Sequence, residues 1–543
     1  MALEALVRAV LANTHSSRRL HRNDVRAGVA RLLPTHPREQ VDARVDSALM
    51  RLTKRAIRHW PKDDEFCLTH DEHLRVDAFK AEALLAESQL VRAIQEISRG
   101  LLAARIEWAG YVDAFTVALR AATDAVLFER SQAFAMAVQT GQLGSLADSE
   151  FGGVILSELT RAGLPKAAGL DWGTMLHRGV CEILRSDVAA IQIHMRALAD
   201  AYTLLAFLKL TPDVQKAVEK MFSHGQIWLD TSVVLPLFAE SLMGDGSGRF
   251  TRVYEAAREA GLELYVTEGV LEEIERHMNL GLMCARMDRG GWQGAVPYLL
   301  EEFVSSGRSP SAFAHWLENF RGDFRPVQDI GEYLKEQFGV QTRSLDEERR
   351  AAPPELRDSL QLLWYEAHRR RRGQGKGPID DGAIARLVDH DVEAYCGVVQ
   401  LRSRETASPF GYTAWWLTLD RRAFDLKPRL RDYMKSEPPD SPVLSADFLV
   451  NYLAFGPTRQ SVGKAKEAHL PLMMELEAAR YLTPELISEA EVLREEMKEL
   501  PQRVVRRRIR DHLDRARRRI GPIAKAGLFE LDDELAIDVP GAQ

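Results

Sequence analysis

The chain has 543 residues and a mass of 61.1 kDa, with 45% apolar and 28% charged residues and a net charge of −7. The length predicts about two to four globular domains, and the acidic balance excludes a global attraction for nucleic acid, so such binding has to use local basic patches. No apolar run reaches the length of a membrane span, no signal-peptide core opens the chain, and Cys67, Cys181, Cys284 and Cys396 show no paired metal-ligand spacing, which predicts a reduced, cytoplasmic setting.

Residues 1–75 read as three helices and a hairpin. Positions 3–11 are apolar at helical spacing, Asn23 is the expected cap of a second helix reaching Leu33, and Pro37 opens a third with Val41, Val45, Leu49 and Leu52 on one face. Residues 56–60 and 65–69 flank the turn Pro61-Lys62-Asp63-Asp64 as hairpin strands. Helices followed by a hairpin resemble a winged helix-turn-helix. In that setting Arg38, Arg44, Arg51, Lys54, Arg55 and Arg58 would supply phosphate contacts. Glu39, Asp42 and Asp46 on the same helix dilute that charge, so protein contact or self-association is an equal alternative.

Residues 76–222 are rich in Ala, Leu, Arg and Glu, with apolar positions at helical spacing, and predict a helical domain without a chemical motif. Gly152-Gly153 and the stretch 163–165 read as turns.

The chemistry-bearing residues begin after position 223. An apolar run at 227–229 delivers Asp230 onto Thr231 and Ser232, and a second apolar run follows at 233–238. Strand, acidic residue, hydroxyls and buried helix is how an open α/β sheet presents a carboxylate. Residues 264–266 read as another short strand, with Thr267 as a helix cap and Glu273 beside the stripe of Val270, Leu271 and Ile274. A helical insert is expected at about 280–378. It ends in a flexible basic segment that opens with Arg369, Arg370, Arg371 and Arg372, placed to guide RNA phosphates or to be solvated. An amphipathic helix over 383–402 carries Asp391, with Asp380, Asp381 and Asp389 as rivals for its role. The helix is followed by a loop around 402–412. A hydrophobic strand then ends in Thr418-Leu419-Asp420, with Phe424 four residues on.

This ordered series resembles the PIN-domain nucleases across residues 223–460. The resemblance implies an α/β fold with a parallel sheet flanked by helices. It implies that Asp230, Glu273, Asp391 and Asp420 meet at the carboxyl edge of that sheet and hold Mg²⁺ or Mn²⁺ for phosphodiester hydrolysis. The substrate implied is usually RNA, with DNA as the alternative. Hard divalent cations prefer oxygen ligands, and clustered carboxylates repel one another without a cation. A bound metal lowers the pKa of water and stabilises in-line displacement, while Thr231, Ser232 and Thr418 suit hydrogen bonds that orient the acids. A silent PIN-like adaptor or a nucleic-acid-binding regulator is the alternative from a different class.

Residues 461–543 read as helical, with arginines concentrated over 503–519 and an acidic tail at 530–538. The winged module and these helices are the expected surfaces for self-association or a protein partner.

Overall fold

Apolar residues spaced three and four apart dominate the chain, and the computed structural model is accordingly mostly helical, with two small sheets. It describes residues 2–519, apart from 34–36, 54, 104–105, 141–150, 165–170, 185, 187, 211–220, 244–247, 288–291, 293–295, 374–380, 406–410, 458–461, 463–469, 472–473 and 475–483. The chain divides into two units, Met1–Met221 and Phe222–Gln543. Among the described residues no helix is long and apolar enough to cross a membrane.

The first unit opens with helices Ala2–Leu11, Arg22–Leu32 and Arg38–Leu52. With them goes an antiparallel sheet of β1 (Leu20–His21), β2 (Ile57–Trp60) and β3 (Glu65–Leu68), in the order β1-β3-β2. The second helix is capped by His21 and not by Asn23: the His21 ring accepts the Asn23 amide at 3.2 Å. At two residues, β1 is too short to leave a pattern in the sequence. Val7, Val29, Val45, Ile57 and Phe66 form the buried interior of this module. Asp64 closes the hairpin at φ 50°, where its carboxylate holds Arg22 at 2.7 Å and His59 at 3.0 Å.

Helices His70–Leu102, Val112–Thr140, Phe151–Ala162, Trp172–Leu184 and Ala189–Leu210 complete the unit. Gly152 and Gly153 lie inside the first turn of helix Phe151–Ala162 and do not form a turn. A helical glycine costs only about 1 kcal/mol, which burial of Ile155 one turn on outweighs. Gly163, at φ 58°, follows the end of that helix in a conformation that side chains disfavour.

The second unit is built on a parallel five-stranded sheet. Its strands are β4 (Gly225–Leu229), β5 (Leu262–Val266), β6 (Gln341–Thr342), β7 (Ala414–Leu417) and β8 (Val443–Leu444), in the order β6-β5-β4-β7-β8. From the central β4 the chain runs outward to β5 and β6, then returns to the other side of β4 for β7 and β8. The strand order therefore reverses between β4 and β7, where Trp228 pairs with Trp416 and Leu229 with Leu417. Helices Pro354–Gly373 and Asp381–Leu401 cover one face, burying Trp228, Trp364, Tyr395 and Trp416 together. Each such side chain contributes roughly 2–3 kcal/mol. Helix Thr231–Glu240 is buried along nearly its whole length, as an element apolar all round must be.

The expected helical insert contains a strand. β6 pairs Gln341 with Tyr265 and Thr342 with Val266 at the edge of the sheet. Both of its residues are exposed, so no apolar alternation marks it. The basic segment is likewise not flexible at its start: Arg369, Arg370, Arg371 and Arg372 continue helix Pro354–Gly373. Helices Pro484–Glu496 and Gln502–Arg519 end the described chain, the latter burying Val505, Ile509 and Leu513 at four-residue spacing. The acidic stretch 530–538 lies outside the described residues.

Candidate active site at the carboxyl edge of the parallel sheet

Asp230 is the first residue after β4, and its amide still bonds to the Leu417 carbonyl on β7 at 3.0 Å. Its side chain caps helix Thr231–Glu240 by accepting the Ser232 amide. The same oxygen, Oδ2, accepts the Ser232 hydroxyl at 2.5 Å and the Thr418 hydroxyl at 2.8 Å. Each hydroxyl in turn accepts a backbone amide: Leu419 donates to Ser232 Oγ and Asp420 to Thr418 Oγ1, both at 3.0 Å. Each amide takes one lone pair of the hydroxyl that it meets, and each O–H donates to the carboxylate. Thr418 is fully buried, so this brace between two strand ends is shielded from water.

Asp420 stands three residues beyond β7 and caps helix Arg421–Phe424, its Oδ1 accepting the Arg422 amide at 2.9 Å. Glu273 comes from helix Glu268–Arg286, whose start is fixed by Thr267 accepting the Val270 amide. Its carboxylate is buried, and Oε2 accepts the Thr231 hydroxyl at 2.5 Å. Hydrogen bonds thus join Asp230 to the strand end that carries Asp420, and Glu273 to the residue after Asp230.

Asp391 lies on helix Asp381–Leu401 with His368 Nε2 3.0 Å from its Oδ2. His368, 2% exposed and stacked on Trp364, was not expected from the sequence. Its signal is the spacing Leu360, Leu363, Trp364, Ala367, His368, which puts a histidine on the buried face just before the arginines. The rivals have other surroundings. Asp389 is exposed and pairs with Arg349, Asp381 is exposed and accepts from Tyr365, and Asp380 lies outside the described residues.

The helices bearing Glu273 and Asp391 meet at Gly269, where any side chain would collide with the His390 ring. Burial, reinforced by the nearby positive Arg276, pushes the His390 pKa down to about 4. On the Asp420 side, Arg422 Nη1 donates to the Ala367 carbonyl at 3.4 Å, next to His368. Arg369 and Arg370 are exposed, and Arg370 pairs with Glu366 at 3.4 Å. The side chains of Arg371 and Arg372 lie outside the described residues. Arg402 and Tyr412, at the two ends of the expected loop, pack together with the guanidinium 4.7 Å from the ring, and residues 406–410 between them lie outside the described residues. The buried Arg402 donates to the carbonyls of Ala414 and Ser441 and lies 4.0 Å from the Trp415 ring.

Carboxylates with hydroxyl supports are the donor set a hard divalent cation takes, so the residues suit Mg²⁺ or Mn²⁺ in kind. Among the described residues, no group of three or more His, Cys, Asp or Glu side chains is placed to hold a metal ion. Mg²⁺ sites commonly use one or two carboxylates and complete their shell with water and substrate phosphate. Compared with protein-family models, with curated proteins and with solved structures, the chain matches none.

Proposed function

We propose that the second unit is a metal-dependent phosphodiesterase of the PIN type, an endoribonuclease. The observation that carries this reading is the braced pair of strand ends. Asp230 and Asp420 leave neighbouring parallel strands where the strand order reverses, the position at which open α/β sheets bind ligands. Asp230 and Asp420 would hold the cation, with Glu273 and Asp391 as the further acids that the family resemblance implies. When bound, it would supply an activated water and charge stabilisation for phosphodiester hydrolysis.

The chain's own residues do the rest by positioning. Thr418 and Ser232 fix the direction of the Asp230 carboxylate, Thr231 fixes Glu273, and His368 holds Asp391 against its helix. Arg369, Arg370, Arg371 and Arg372 follow His368 directly and draw substrate phosphates toward the site. RNA is preferred over DNA on the family resemblance alone, and both belong in the assay.

Asp230→Asn and Asp420→Asn test this reading. Losing one anionic ligand should lower the cleavage rate in Mn²⁺ by about a hundredfold to ten-thousandfold. The melting temperature should stay level or rise without metal, because repulsion among the acids is relieved. Wild-type cleavage by Asp230→Asn sinks the nuclease reading, and inactivity of the parent protein on RNA and DNA alike favours a silent adaptor.

For the first 75 residues we favour a winged module that contacts protein. Four of its arginines are paired internally: Arg22 with Asp64, Arg26 with Asp46, Arg19 with Glu65 and Arg51 with Glu4. Little unbalanced charge is left among them for a phosphate backbone.

A further inference from the structure

Arg276 follows Glu273 by three residues on helix Glu268–Arg286, so the two side chains lie on adjoining faces of one helix. It is part-buried, and its Nε and Nη2 atoms are shut off from solvent with no hydrogen-bond partner. These two N–H groups form one edge of the guanidinium, the fork that takes two oxygens of a phosphate or carboxylate at once. Leaving a charged donor buried and unmade costs about 1–3 kcal/mol or more, so an empty fork is an unbalanced state unless a ligand completes it. The acids just before it on the helix face other groups: Glu275 pairs with Arg321 at 2.8 Å, Glu273 accepts from Thr231, and Glu272 lies 3.9 Å from His390.

The location points to the ligand. Gly269 packs on the His390 ring and Glu272 lies 3.9 Å from it, and His390 precedes Asp391. Arg276 follows Gly269 and Glu272 at helical spacing, so it stands on the face of its helix that is turned to the helix of Asp391. A site lined by acids repels a polyanion, so a fixed cation is needed beside it. The other basic cleft, lined by Arg349, Arg350 and Arg357, serves less well, since Asp346 and Asp389 already pair with Arg349 and Asp346 with Arg350.

We propose that Arg276 is a phosphate-binding residue, gripping two oxygens of one backbone phosphate of a bound nucleic acid through its Nε–Nη2 edge. The identity of the substrate rests on the phosphodiesterase reading; the phosphate grip does not require turnover.

The test uses the full chain and a short labelled single-stranded RNA. Binding is titrated against salt in EDTA, and cleavage is followed in Mn²⁺. Arg276→Gln should weaken binding about tenfold and reduce the log–log salt slope by about 0.7, the contribution of one phosphate contact. Arg276→Lys keeps the charge, so it should retain the slope while losing affinity, because a point charge cannot replace the fork. Parental binding, slope and KM in Arg276→Gln overturn the proposal while leaving the nuclease reading intact. Weakened binding by Arg276→Gln, in a protein whose parent binds RNA but never cleaves it, upholds the grip and removes the nuclease. A parent that binds no RNA overturns it. If Arg276→Gln does not fold, Arg276→Lys decides alone, and parental affinity in that variant counts against the fork.

Discussion

At the scale of single residues, the Asp230 environment shows how two hydroxyls set one carboxylate. Ser232 and Thr418 each accept an amide and donate to Oδ2, so both hydroxyls are anchored to the backbone while they hold the acid. Thr418→Val keeps shape and removes the donor, and it leaves the Asp420 amide without its partner. Loss of one charge-assisted bond in a water-excluded position should lower kcat about tenfold, with KM little changed. Steady-state kinetics on the variant check this, and an unchanged kcat would mean that Ser232 alone orients the acid. Burial pushes the thiols of the half-buried Cys284 and the buried Cys396 up to about 12, so neither is a nucleophile at neutral pH.

At the scale of elements, the contact between helices Glu268–Arg286 and Asp381–Leu401 depends on a neutral imidazole. His390 is wedged on Gly269, with Glu272 and Arg276 facing it from the neighbouring helix and Arg349, Arg386 and Asp389 also acting on it. Its folded pKa, about 4, lies below the ordinary 6.5, so the unfolded chain binds the proton more readily. The neutral ring's contribution is complete above pH 6.5 and is lost as pH falls toward 4, in all on the order of 3 kcal/mol. The melting midpoint should therefore drop by a few degrees between pH 7 and pH 5. A variant with His390→Asn should show a shallower drop over that window. Parallel curves for the two proteins would assign the pH dependence to other groups.

At the scale of the whole molecule, the two units carry different kinds of surface. In the first 75 residues the arginines that the sequence offers to a phosphate backbone are partly spent: Arg51 bonds Glu4, and Arg58 lies 5.0 Å from the Trp60 ring. Deleting residues 1–69, which end at the cap of helix His70–Leu102, should change the number of copies per particle in light scattering and leave RNA affinity within about twofold. An unchanged copy number with much weaker RNA binding would make the module a substrate-binding element instead.

Where the signal is local, the sequence alone was enough. β4, β5 and β7 lie where short apolar runs predict them: β7 and the end of β4 are buried on both faces and read as continuous apolar residues, while β5 buries Leu262, Leu264 and Val266 and exposes Glu263. The caps Asp230 and Thr267 follow from side chains that can satisfy an amide two or three residues ahead. Tertiary structure decided what depends on distant partners. The two-residue strand β6 exists because β5 offers it an edge, not because of its own composition. Gly152 and Gly153 are helical because burial outweighs their propensity. His368 meets Asp391 across 23 residues of chain, and His390 needs a glycine more than a hundred positions away. A sequence orders its acids, but that Asp391 meets a buried histidine while the exposed Asp389 pairs with Arg349 is a property of neighbours in space.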